Sequence, residues 1–140
     1  MRIWTVALVL LLLASSQLFS RPVDAAALHY GPAVVELTGT LVLEEYFGPP
    51  GFGEDPKTDS RELYAILVLD APVSVEGVPA DLIDKTYPDV RWVQLVRGIA
   101  DPPFSPYQSM HVIVSGTLYG RHTGHHHTDV LLIVQSIAVR

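Results

Sequence analysis

Four of the six histidines fall within six positions near the C-terminus, in the phrase His122-Thr123-Gly124-His125-His126-His127-Thr128-Asp129. Neutral imidazole is a good ligand for Zn, Cu or Ni, and two or three rings on adjacent strand positions with a carboxylate nearby would make a site. His122, His125, His126, His127 and Asp129 are therefore the candidate metal set. The same residues admit a plainer reading: a polar hairpin tip whose rings bond to carboxylates and backbone. The spacing is not the His-Glu-x-x-His of a zinc-binding helix, so the sequence leaves both open.

A second loaded stretch runs from Phe47 to Ser60, where three prolines, three glycines and the acids Glu54, Asp55 and Asp59 crowd together. Those carboxylates could supply oxygen to the histidines or meet a ligand directly. Loops this long in a compact domain tend to be functional or mobile. Tyr46, Phe47, Phe52, Tyr64 and Trp92 could form an aromatic platform for a base or a sugar, although such residues more often anchor a core or a loop. Phe52, Glu54, Asp55, Asp59 and Trp92 are the candidate ligand-binding residues. Nucleophilic catalysis has little support, because no Gly-x-Ser-x-Gly elbow is present. Asp55 and Asp59 lack the spacing of a calcium loop.

These loops need elements to hold them. Val34 to Glu45 alternates with a period of two, placing Val35, Leu37, Leu41 and Leu43 on one face, with Gly39 in the middle. That is a half-buried strand with a coil or bulge at the glycine. Glu62 to Leu69 is a further strand, broken at Asp70-Ala71-Pro72, after which Val73 and Val75 resume on alternate positions. Pro72 is expected at a bulge or an edge, because it cannot donate to a ladder. Val90 to Arg97, Met110 to Tyr119 and Asp129 to Val139 follow, the last apolar on both faces. Ala80 to Lys85 is expected to form a turn of helix, and Asp101 to Tyr107 a loop or short helical turn. Closely spaced strands with little helix indicate an all-β fold with minor helix. Mid-strand glycines in Leu37-Thr38-Gly39-Thr40-Leu41 and Val114-Ser115-Gly116-Thr117-Leu118 favour strands coiling around a small five- to six-stranded OB-like Greek-key barrel, with a β-sandwich as the alternative.

Strand parity limits which rings meet. If Leu118 and Val130 both face the core, the loop is odd-numbered, His122 faces His126 and Arg121 faces His127. If Leu131 and Ile133 face inward instead, His122, His125 and His127 share a face. A last strand apolar on both sides leaves the register open.

Composition bounds the rest. The chain has 140 residues, 49% apolar and 17% charged, with no cysteine, which excludes disulfides, thiolate metal sites and a Cys nucleophile. Arg2, the apolar run Ile3 to Ala14 and Val23-Asp24-Ala25 form the pattern of a secretory signal over residues 1–25, cleaved after Ala25 or Ala26. An apolar run of about 12 residues is short for a membrane span, so an uncleaved anchor is the lesser alternative. A single domain over 26–140 is expected, exported to the periplasm or the extracellular space. Setting aside Arg2 and Arg21 leaves seven basic residues, and setting aside Asp24 leaves fourteen acidic ones, a net charge of −7. Such a charge argues against nucleic acid as a partner. No sequence feature fixes the partner or the oligomeric state.

In the two motifs Gly48-Pro49-Pro50-Gly51-Phe52-Gly53-Glu54-Asp55-Pro56-Lys57-Thr58-Asp59 and Gly116-Thr117-Leu118 with His122-Thr123-Gly124-His125-His126-His127-Thr128-Asp129-Val130-Leu131-Leu132, the chain resembles the bacterial domain of unknown function 4431 family. The resemblance spans roughly Val34 to Ile137, and the histidine phrase is its specific part. It departs where Ser109-Met110-His111 stand in place of the Gly and basic residue usual before the Val-x-Val-x-Gly-Thr-Leu strand. The resemblance implies small exported or envelope-associated proteins of bacteria and brings no assigned activity.

The expected function is a non-enzymatic envelope binding module in which the histidine hairpin and the Gly-Pro loop form one surface, with Zn, Cu or Ni as possible ligands. The alternatives are an OB-type binder of oligosaccharide or peptide using Trp92, and a metal-dependent hydrolase with His122 or His126 as base.

Overall fold

The computed structural model describes residues 26–98 and 103–140. The candidate export signal lies outside them. Six strands follow in chain order: β1 (Leu28–His29), β2 (Val34–Phe47), β3 (Arg61–Glu76), β4 (Tyr87–Arg97), β5 (His111–Gly120) and β6 (Val130–Val139). A 3-10 turn, Ser105–Tyr107, precedes β5. The pairing runs β3-β2-β5-β6-β4 and closes between β4 and β3, with β1 added parallel to β3. β4 and β6 are parallel, and the other barrel pairs are antiparallel. This is a closed five-stranded mixed barrel of OB-like topology with one extra strand. Closure excludes the sandwich.

The alternation read from the sequence builds the interior. Leu41 pairs with Leu67, Leu67 with Val93, Leu37 with Val114 and Leu118 with Leu132. All of these side chains are buried in one core cluster. β2 is shared: its first half pairs with β5, its second half with β3, and Gly39 has partners on both sides, Val112 and Leu69. A Cβ at Gly39 would stand 2.1 Å from the Val68 carbonyl oxygen, so only glycine lets the strand bend there.

One local expectation holds, one changes and one strand is new. The Asp70-Ala71-Pro72 break is the expected irregularity and not an end: β3 resumes at Val73 and runs to Glu76, with a register shift against β4 between Val68 and Val73. The turn of helix expected over Ala80–Lys85 does not form. Ala80 takes a φ of 69°, and the Asp81 carboxylate accepts the N–H groups of Ile83 (2.8 Å) and Asp84 (3.0 Å), giving the backbone a non-helical alternative. β1 has too few residues to show periodicity. It is fixed by tertiary contacts, with the buried Tyr30 just beyond it donating its hydroxyl to the Lys85 carbonyl at 2.7 Å. Among the described residues no helix is long and apolar enough to cross a membrane.

Candidate functional site

The β5–β6 hairpin settles the register of the histidine loop. Leu118 and Val130 both face the core, as in the odd-numbered reading, but Leu118 pairs with Leu132 and Gly120 with Val130. The facing pair at the hairpin mouth is therefore Arg121 and Asp129, joined by Arg121 N–H to Asp129 C=O at 3.1 Å, and not Arg121 with His127. Past this pair the loop folds back over the outside of the barrel.

Gln94 of β4 holds it there. The Gln94 side chain accepts the His127 N–H at 2.7 Å and donates to the His125 carbonyl at 2.9 Å. Its backbone N–H donates to the Thr128 hydroxyl at 2.9 Å, and that hydroxyl donates to the Val130 carbonyl at 2.7 Å. Gln94 is 2% exposed, so these groups have little access to water as an alternative partner. Its ladder neighbours Ile66 and Leu131 are also buried yet lie outside the core cluster, on the outward side of their strands. Covering each contributes roughly 1.5–3 kcal/mol, which explains why β6 is apolar on both faces.

The four rings divide into two pairs. His127 lies flat on Tyr46, with centroids 3.8 Å apart and planes 9° apart, and edge-on to Tyr64 at 4.6 Å. His125 Nδ1 is 3.0 Å from Glu62 Oε2 and 2.9 Å from the Tyr64 hydroxyl, which itself donates to Glu62. His122 and His126 meet edge-to-face at 4.6 Å beside Tyr119. The His122 N–H donates to His126 Nδ1 at 3.1 Å, and His122 Nδ1 lies 2.9 Å from the Gly120 carbonyl oxygen. The Nε2 atom of His127 is buried with no hydrogen-bond partner among the described residues.

This packing moves the acid–base balance of the cluster. Burial lowers the pKa of His126, helped by His122, and burial lowers that of His127, helped by Arg121. The Tyr64 hydrogen bond holds the Glu62 carboxyl below its usual range against a smaller opposing effect of burial, and the His125 bond adds to the lowering. Burial and then the Glu44 bond push Tyr46 up to about 12.

The Gly-Pro loop meets the histidine loop through Phe52. Its ring sits edge-on to His125 at 5.2 Å, and a Cβ at Gly124 would come within 3.2 Å of it. The loop's acids do other work. Asp59 is buried and accepts the N–H groups of Gly51 (2.6 Å), Gly53 (2.8 Å) and Asp55 (3.1 Å). Burial raises its pKa, but those three bonds outweigh it and hold the carboxyl below the usual value. Asp55 accepts the Lys57 N–H at 3.2 Å, and Glu54 is exposed. Among the described residues no three His, Asp or Glu side chains are grouped to hold a metal ion.

Trp92, 61% exposed, stands between two clefts. One, of about 470 Å³, includes Tyr87, Arg91, Arg121 and Asp129; the other, of about 200 Å³, includes Glu44, Tyr46, Ile66 and Val68. Trp92, His127 and Thr128 line both, so the two form one groove along the edge of the histidine loop. A third cleft, of about 290 Å³, is lined by Tyr64, Phe104, Tyr119, His125 and His126 among others.

Of the sequence candidates, Phe52 joins His125, while Trp92 shares its groove with His127 and Asp129. Tyr46 and Tyr64 form an aromatic platform, with His127 stacked on it; Phe47 instead lies under the Arg61 guanidinium, 3.7 Å from its centroid. Gln94, Glu62, Thr128 and Tyr119 were not singled out. The lone amide of Gln94 inside the apolar run Val93 to Val96 was the available signal.

Residues 93–138 match the model of a family described as Domain of unknown function (DUF4431), so the resemblance read from the sequence holds over this stretch. It takes in Gln94, the whole histidine loop and most of β6, and leaves the Gly-Pro loop outside. No curated protein and no solved structure matches the chain.

Proposed function

We propose that this chain is an exported, non-enzymatic binding module of the OB type that holds an oligosaccharide or peptide segment against Trp92. The observation that carries the reading is an indole more than half exposed between two joined clefts, on the β3–β4 side of the barrel and next to the histidine loop. That side, with the loops after the first and fourth barrel strands, is where OB barrels bind extended polymers. Here those loops are the Gly-Pro and histidine loops, and Phe52 joins them. The histidines serve in this reading as the scaffold of the groove wall. Export rests on the signal pattern of residues 1–25.

Residues 26–140 contain one tryptophan, Trp92, which makes its emission a direct reporter. Glycan and peptide arrays, followed by fluorescence titration of the hits, should give binding that perturbs Trp92. Trp92→Ala should weaken it at least tenfold, about 1.4 kcal/mol, without altering the far-UV spectrum. Hits that leave Trp92 emission unchanged and survive this substitution would place binding elsewhere and overturn the reading. For export, expression in a bacterial host with N-terminal sequencing should give a chain beginning at Ala26 or Ala27 outside the cytoplasm.

A further inference from the structure

The larger cleft is lined by two residues of opposite charge, Arg121 and Asp129. Arg121 and Asp129 face one another at the hairpin mouth, joined through their backbones at 3.1 Å, and both side chains are exposed. Side chains on directly facing positions start from Cβ atoms about 4.5–5.5 Å apart, a placement at which opposite charges commonly pair. Among the described residues neither forms an ion pair. The remaining charges of the cleft are satisfied by each other: Arg91 grips Asp89 with two bonds, at 3.0 and 3.1 Å. A guanidinium and a carboxylate that form no ion pair among the described residues, and an exposed indole, therefore border the same space of about 470 Å³.

We infer that this cleft takes a ligand end that carries an ammonium and a carboxylate on one carbon, an α-amino-acid group. The guanidinium of Arg121 offers a planar fork that matches a carboxylate, and Asp129 accepts from the ammonium. The attached chain lies along Trp92 toward Tyr46. Such a group occurs on a free amino acid and at the end of a peptide linked through a side-chain carboxyl. An ordinary α-linked peptide carries its two charges at opposite ends and satisfies only one of the two residues.

This inference rests on the groove assigned above, and the test separates the two. Trp92 emission in residues 26–140 is titrated with leucine, N-acetylleucine, leucine amide and γ-glutamylleucine. Leucine or γ-glutamylleucine should bind, and the tighter of them identifies the source of the group. Acetylation or amidation of leucine should weaken binding at least tenfold. Arg121→Gln should abolish the penalty for amidation and Asp129→Asn the penalty for acetylation, with unchanged thermal unfolding at these exposed positions. If either variant fails to fold, the comparison of blocked and unblocked ligands on the unaltered protein decides alone. Equal binding of free and blocked forms, or no binding by any of the four, overturns the inference. An array ligand that still binds through Trp92 in both variants would overturn it while leaving the proposed function standing.

Discussion

Gln94 shows what a single residue does in this fold. Its amide satisfies a carbonyl and an N–H of the loop that would otherwise lie against an apolar strand. Gln94→Leu keeps the volume and strands both groups. A buried, unpaired backbone group costs about 1–3 kcal/mol. These two are part-buried, which keeps their sum in the lower range, so a loss of roughly 2–4 kcal/mol is expected in denaturant unfolding, together with faster amide exchange at His127. A loss under about 0.5 kcal/mol would show that the loop does not depend on the clamp. The crowding of the imidazoles was legible in the sequence, but their partners were not. His125 reaches Glu62 across 63 positions, and Gln94 reaches His125 and His127 across 31 and 33. Local spacing carries no information about such pairs.

At the scale of elements, alternation placed β2 and β5 within one or two residues because each has a buried and a less buried face. The glycine in β2 was also legible as a bend, and the structure supplies the reason: one strand serves two partners. Gly39→Ala drives a methyl into the Val68 carbonyl, and backbone cannot step aside as a side chain end can. Overpacking of this kind costs about 1–3 kcal/mol and at times more. A loss of about 3 kcal/mol is expected by denaturant unfolding; an unchanged midpoint would mean that the barrel has slack at this bend. β6 was the ambiguous strand, since both faces are apolar. Its register is given by its pairing with β5, which leaves Leu131 on the outward side and yet buried.

For the whole molecule, stability should fall in two stages as the solution is acidified. His126 and His127 have pKa values below the usual 6.5 in the folded chain, so the unfolded chain takes up protons first. Their contribution is complete above pH 6.5 and declines as pH falls below it, until their folded values are reached. Glu62 and Asp59 are held below their usual 4.5 and 3.8 when folded. Their contribution persists above those values and is lost as pH falls through the lower folded ones. Chemical unfolding between pH 8 and 3 should show both declines. Replacing His126 and His127 together by Asn should flatten the first and spare the second, and an unaltered first stage in that variant would contradict the assignment.

The all-β class, the inward residues, the bend glycines and the clustering of imidazoles can be read along the chain, because each follows from its period or from adjacency within it. Tertiary structure alone decided that the histidine loop folds back onto β3 and β4, that its rings separate into two pairs, and that Trp92 stands over an open groove. Those outcomes depend on which distant polar atoms lack water when the barrel closes, and closure is a property of all five strands at once.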